Sequence, residues 1–219
     1  MAAIVPELGT KTIDLISLVG GFSLHWSGRL LPGLPRASQR RAYANLRSAL
    51  VRLERTCRGV LQASRLELRL VEGLAVDIRQ FRALARQLLD PGTALRPSDL
   101  GPDTLAGLSA DLLPGWYDDW VLREAEDWRQ LRLHALEALA DRLTAVGRWG
   151  AAADAAGAPV RAEPLRESAN AALIKVHLAE GNQSEAVRQF ERYRALLGAE
   201  LGLEPTPRLR RLVRDLLTT

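Results

Sequence analysis

Cysteine is almost missing from this chain. Cys57 stands alone among 219 residues, so no disulfide can close within the chain and no multi-cysteine zinc site can form. A lone thiol also fits a reducing compartment. Lysine is nearly missing too: of 30 basic residues only Lys11 and Lys175 are lysine. A GC-rich genome produces the same bias, so it is not a functional sign by itself. No apolar run approaches the ~18–20 residues that cross a bilayer. Residues 1–7 lack the basic stretch that opens a secretory signal. A cytoplasmic protein with no membrane partner is expected. What is present is ordinary globular material, 47% apolar and 26% charged, which argues against a disordered chain. The length suits one large domain or two small ones.

Catalytic chemistry is equally sparse. His25, His134 and His177 are too scattered for a zinc-binding helix and read as core or partly exposed residues. No histidine is placed to activate Cys57, which reads as a small apolar group. Residues 8–12, Leu-Gly-Thr-Lys-Thr, superficially resemble a phosphate loop but lack its first glycine at the required spacing. Asp118-Asp119 and Glu124-Glu126-Asp127 are interleaved with Trp116, Trp120 and Trp128. They read as an acidic helix start with an apolar face rather than paired catalytic carboxylates. An enzyme is not expected, and neither a metal nor a cofactor is implied.

Charge is unevenly spread. Residues 36–70 carry nine arginines against Glu54 and Glu67, a net of +7. Residues 99–128 carry eight acids against Arg123, a net of −7. The first segment suits a polyanion and the second repels it. Periodicity predicts a helix over 38–55, with Ala42, Leu46, Ala49, Leu50 and Leu53 on one buried stripe. Arg40, Arg47, Ser48 and Arg55 face the other way, with Arg41 and Arg52 on the shoulder. From Val60 to Val71 the period changes to two, which predicts a hairpin turning at Ala63-Ser64-Arg65 and carrying Arg65 and Arg69. Such a helix can enter the major groove, where arginine bonds guanine, while the hairpin's arginines meet phosphates. Periodicity and charge fit an amphipathic helix with a solvated basic face equally well.

Elsewhere the pattern is coarser. Residues 13–19 fit a strand or a short helix, and Ser23 is placed to cap a short helix reaching residue 31. Asp77 is a candidate N-cap for a helix over 78–89 that Asp90-Pro91-Gly92 ends. A loop-rich stretch over 91–115 leaves room for a short helix over 103–113. A further helix over 113–130 is expected to use the three tryptophans. The last part repeats: Gly147 and Gly181 lie 34 residues apart. At that offset Leu131, Ala135, Leu139 and Ala152 match Leu165, Ala169, Leu173 and Ala186. Thirty-four residues is the period of a tetratricopeptide helix-turn-helix. Phe190 and Tyr193 supply large knobs where the earlier repeat has Ala156 and Pro159. About three helical pairs are expected, since a repeat needs neighbours to bury its faces.

Residues 42–55, Ala-Tyr-Ala-Asn-Leu-Arg-Ser-Ala-Leu-Val-Arg-Leu-Glu-Arg, resemble the recognition helix of the Streptomyces antibiotic regulatory proteins. Residues 112–121, Leu-Leu-Pro-Gly-Trp-Tyr-Asp-Asp-Trp-Val, resemble the opening of their bacterial transcriptional activation domain. Residues 181–186, Tyr193 and residues 200–209 resemble its close. The resemblance implies a mainly α protein with a small β hairpin or sheet. An N-terminal winged helix-turn-helix over 1–75 would be followed by a tetratricopeptide-like all-α domain over 76–219. It implies a DNA-binding transcriptional activator of a secondary-metabolite gene cluster. Such a protein binds direct repeats in double-stranded promoter DNA, self-associates side by side, recruits RNA polymerase holoenzyme and works at the nucleoid. The recognition-helix role falls on Arg40, Arg41, Arg47, Ser48, Arg52 and Arg55, and the wing role on Arg65 and Arg69. No ATP switch is implied. Leu30-Leu31-Pro32-Gly33 stands where the family places Leu-Trp-Pro-Asp, and only 35 residues precede Arg36. A shortened or rebuilt front, or a start further upstream, is therefore expected. The competing expectation is an adaptor without DNA binding that holds a protein partner in the helical groove.

Overall fold

The computed structural model describes residues 15–19, 23–26, 29–30, 51, 60–63 and 68–217. They fall into two compact units, one within Met1–Gln80 with Leu112–Gly115, the other within Phe81–Asp111 with Trp116–Thr219. The fold is mainly helical with small sheets.

The first unit holds the strands. β1 (Leu15–Ser17), β2 (Ser23–Trp26), β3 (Arg29–Leu30) and β6 (Ala75–Val76) form one sheet in the order β3-β2-β1-β6. β1 runs antiparallel to β2, with Leu15 opposite His25, and parallel to β6, with Ile16 opposite Val76. Within the 13–19 segment, Leu15–Ser17 is thus a strand. The short helix expected after Ser23 is replaced by β2 and β3. β2 runs antiparallel to β3, with Trp26 opposite Arg29. Pairing with β1 outweighs the weak local helix signal. β4 (Leu61–Ala63) and β5 (Leu68–Leu70) form the expected antiparallel pair, with Leu61 opposite Leu70 and Gln62 opposite Arg69, but Ala63, expected in the turn, is a strand residue paired with Leu68. Val71 N–H donates to the Val60 carbonyl at 2.9 Å and extends the pairing.

Asp77 is the first residue of the helix rather than the cap before it that the sequence suggested. Its carboxylate accepts from the Ile78 N–H at 2.6 Å and also from Leu18 at 2.8 Å and Val19 at 3.0 Å. The exit of β1 is therefore pinned to the start of α1 (Asp77–Leu89). Val19 also bridges to Leu112, and Leu113 N–H donates to the Leu18 carbonyl at 2.8 Å. Leu113 has φ 45°, a left-handed conformation that costs a leucine about 1–2 kcal/mol. Its buried side chain and these two strand contacts hold it there.

The second unit is helical. It takes the rest of α1, a 3-10 turn at Pro97–Leu100, α2 (Pro102–Ser109), α3 (Asp119–Ala145), α4 (Trp149–Ala162), α5 (Glu167–Glu180), α6 (Gln183–Leu201) and α7 (Pro207–Leu217). α3 with α4 and α5 with α6 are the two halves of the sequence repeat, and neighbouring helices pack in order. The turns match bond for bond. Arg148 N–H donates to the Leu143 carbonyl and Asn182 N–H to the His177 carbonyl, the same reach at the same 34-residue offset. Gly147 at φ +72° and Gly181 at φ +87° supply the left-handed residue this C-cap requires. Ala152 and Ala186 are both fully buried, which lets the second helix of each pair approach closely.

The separate helix expected over 113–130 is instead the front of α3, one helix of 27 residues. The three tryptophans do not share a face. Trp116 precedes the helix, Trp120 is 52% exposed, and Trp128 is fully buried. Trp128 donates its indole N–H to the Ala110 carbonyl at 3.0 Å. The expected third pair is, among the described residues, the single helix α7 closing the second pair. Leu209 and Val213 of α7 join Ile174, Phe190, Tyr193 and Leu197 in one cluster. Burial of each large side chain there contributes about 1.5–3 kcal/mol. At the other end Phe81 of α1 lies over Gly107 of α2.

Candidate functional site

Of the residues assigned to DNA contact, Arg40, Arg41, Arg47, Ser48, Arg52, Arg55 and Arg65 lie outside the described residues, as does Cys57. Arg69 is described. It sits at the middle of β5, exposed, directly opposite exposed Gln62 of β4. A cross-strand pair with one cation and one amide on the same hairpin face is suited to phosphate oxygens and base edges. Gln62 was passed over in the sequence because it carries no charge.

In the helical unit the polar groups are mostly committed to the fold. Glu137 of α3 accepts from Arg166 Nε at 2.7 Å and from Ser168 Oγ at 2.8 Å, and His134 stands beside it. Arg132 is buried against Asp111 and donates to the Ser109 carbonyl at 3.2 Å. Burial pulls its pKa below the usual guanidinium value, and the Asp111 charge opposes that pull. Glu126 is held down at about 2, first by its bonds from Arg129 and then by Gln130. Tyr193 is pushed up to about 12 by burial and by the nearby Glu167 carboxylate, which also accepts from Thr206 N–H at 2.9 Å. His177 and His134 lie on different helices, α5 and α3, and no cluster of metal-ligating side chains occurs among the described residues.

Two surface features were not read from the sequence. A cleft of about 270 Å³ opens among α3, α5 and α7. Ala171, Ala172, Leu209 and Leu212 give it an apolar lining, with Asp141, Lys175 and Arg208 among its polar groups. The second feature is α7 itself, where Arg208, Arg210, Arg211 and Arg214 are all exposed. The spacing of Leu209, Leu212, Val213 and Leu216 could have revealed it, since it leaves Arg210, Arg211 and Arg214 on the outer face and Arg208 at the cleft edge. No helix among the described residues is long and apolar enough to cross a membrane.

The sequence profile described as "Bacterial transcriptional activator domain" matches residues 76–217. The chain belongs to that family, and the resemblance to the antibiotic regulatory proteins stands with it. It is 30% identical over 161 residues to the regulatory protein AfsR of Streptomyces griseus, a stretch covering 71% of this chain and 15% of that protein. The solved structure of Mycobacterium tuberculosis EmbR, in complex with a low affinity phosphopeptide, superposes with a TM-score of 0.67 at 21% identity. That match covers 95% of this chain and 65% of the EmbR chain, so this chain spans less than two thirds of either relative.

Proposed function

We propose that the chain is a sequence-specific DNA-binding transcriptional activator that works at the nucleoid. The observation that carries this reading is the coupling of the +7 segment over 36–70, with its exposed Gln62–Arg69 hairpin face, to a bacterial transcriptional activator domain. In this reading the first domain spans 1–75 and the second 76–219. Arg40, Arg41, Arg47, Ser48, Arg52 and Arg55 address the major groove, and Arg65 and Arg69 the backbone beside it. Protomers lie side by side on direct repeats in the promoters of a secondary-metabolite cluster. The helical domain engages RNA polymerase holoenzyme.

The test is a fluorescence-anisotropy titration against promoter DNA at several salt concentrations. Parent affinity is expected to fall steeply with salt, because each phosphate contact releases counterions. Arg47→Ala with Arg52→Ala is expected to weaken binding about tenfold or more at fixed salt, with unchanged circular dichroism. A double variant that binds as tightly as its parent removes these arginines from the interface. The cleft among α3, α5 and α7 favours one second reading, an adaptor that grips a protein partner there. The absence of any shifted band at low salt across the upstream regions of its own genes would select it.

A further inference from the structure

The helical unit carries two unlike surfaces that complement each other. At the front of α3 two aromatic side chains face water: Tyr117 is 80% exposed and Trp120 52%. Asp118 and Asp119 lie between them in sequence, and neither carboxylate has an ion pair among the described residues. Two large aromatics exposed within four residues, beside carboxylates without ion pairs, make a candidate interaction surface. The other surface is the outer side of α7, where Arg210 and Arg211 are exposed and likewise have no ion pair among the described residues. Arginine is the natural complement of the first surface. Its guanidinium is weakly hydrated, stacks on tyrosine and tryptophan rings, and pairs with carboxylates.

The two surfaces cannot meet within one chain. α7 stands over the cleft with Glu137 and Asp141 of α3. The 17 residues of helix from Trp120 to Glu137 span about 25 Å. We propose that a second copy of this chain lays the Arg210–Arg211 face of its α7 on the Tyr117–Trp120 front of α3. The contact is heterologous: the donor surface of one copy meets the acceptor surface of the next. A handful of side chains falls short of the ~1,200–2,000 Å² of a stable interface. The contact is therefore weak in free solution and gains strength where neighbours are already held side by side. That last step rests on the DNA-binding reading, through the high effective concentration that adjacent sites impose.

The experiment uses the full chain in a Cys57→Ser background. One preparation carries Arg123→Cys beside the α3 front, the other Arg208→Cys beside the α7 face, and the two are mixed and oxidised with oxidised glutathione without DNA. The mixed 123–208 disulfide is expected to exceed either symmetric dimer about tenfold, and Trp120→Ala is expected to remove that excess. Asp119→Arg in one partner is expected to abolish it and Arg211→Asp in the other to restore it. This keeps the test informative if the tryptophan variant misfolds. A statistical mixture of the three dimers, or no rescue by the charge swap, overturns the proposal. The same proteins on one-site and two-site promoter DNA separate the two readings. Loss of all DNA binding sinks the activator reading, whereas the cross-link pattern judges the contact by itself.

Discussion

Gly107 offers the sharpest test of the packing. It is buried in α2, and a Cβ built on it would fall deep inside the van der Waals surface of the Phe81 ring. Helix propensity alone gives the opposite sign, because alanine in place of glycine stabilises a helix by about 1 kcal/mol. Overpacking of this kind costs about 1–3 kcal/mol. The half-buried ring can yield only by turning toward solvent, forfeiting part of the ~1.5–3 kcal/mol that its burial contributes. Steric cost therefore wins, and Gly107→Ala is expected to destabilise the protein by about 1–2 kcal/mol net. For a chain of this size the melting temperature falls by about 2–8 °C. Urea and thermal denaturation followed by far-ultraviolet circular dichroism measure it. Phe81→Leu combined with Gly107→Ala should recover much of the loss, since the two positions touch and do not add independently. A Gly107→Ala protein that is more stable than its parent would refute the close approach of α1 and α2.

Asp77→Ala removes the carboxylate that accepts from the Leu18 and Val19 N–H groups and is expected to cost about 2–4 kcal/mol, read as lost hydrogen-exchange protection at those two amides. Unchanged protection would show that the carboxylate is not what holds the end of β1. Trp128→Phe removes one of the two fused rings and orphans the Ala110 carbonyl, so cavity and lost hydrogen bond together are expected to cost about 2–5 kcal/mol in chemical denaturation. Tyr193 gives a pH signature. Its folded pKa of about 12 lies above the ordinary tyrosine value of 10.0, so its stabilising share is complete below that value and is lost as pH climbs through about 12. Stability of the parent should decline across that window more steeply than that of Tyr193→Phe, and parallel curves would contradict the buried, Glu167-facing phenol.

The legible parts of the fold share a property: their signals are local or strictly periodic. The hairpin over 61–70 shows in its alternation, the helix from Asp77 in its acidic start, and the 34-residue repeat in Gly147 and Gly181. Left-handed glycine with the same carbonyl behind it is a chemical requirement of the turn. The misread parts depended on distant partners. Ser23–Trp26 becomes a strand because β1 is available to pair with it. Trp120 and Trp128 are the same residue type on one helix, yet one faces water and the other meets the Ala110 carbonyl. Of the assigned DNA contacts only Arg69 falls within the described residues, and its cross-strand neighbour Gln62 is visible only once the register is known.

Composition and periodicity by themselves determined a cysteine-poor, arginine-rich chain with a basic segment, a two-stranded hairpin and a helical repeat. Those properties are written in the order of side chains along the backbone. Tertiary structure alone decided which distant residues meet each buried face, how far α3 runs before a break, and that α7 closes the last core cluster. Burial depends on what packs against a residue from elsewhere in the chain. Contacts at long sequence separation therefore settle what local pattern leaves open.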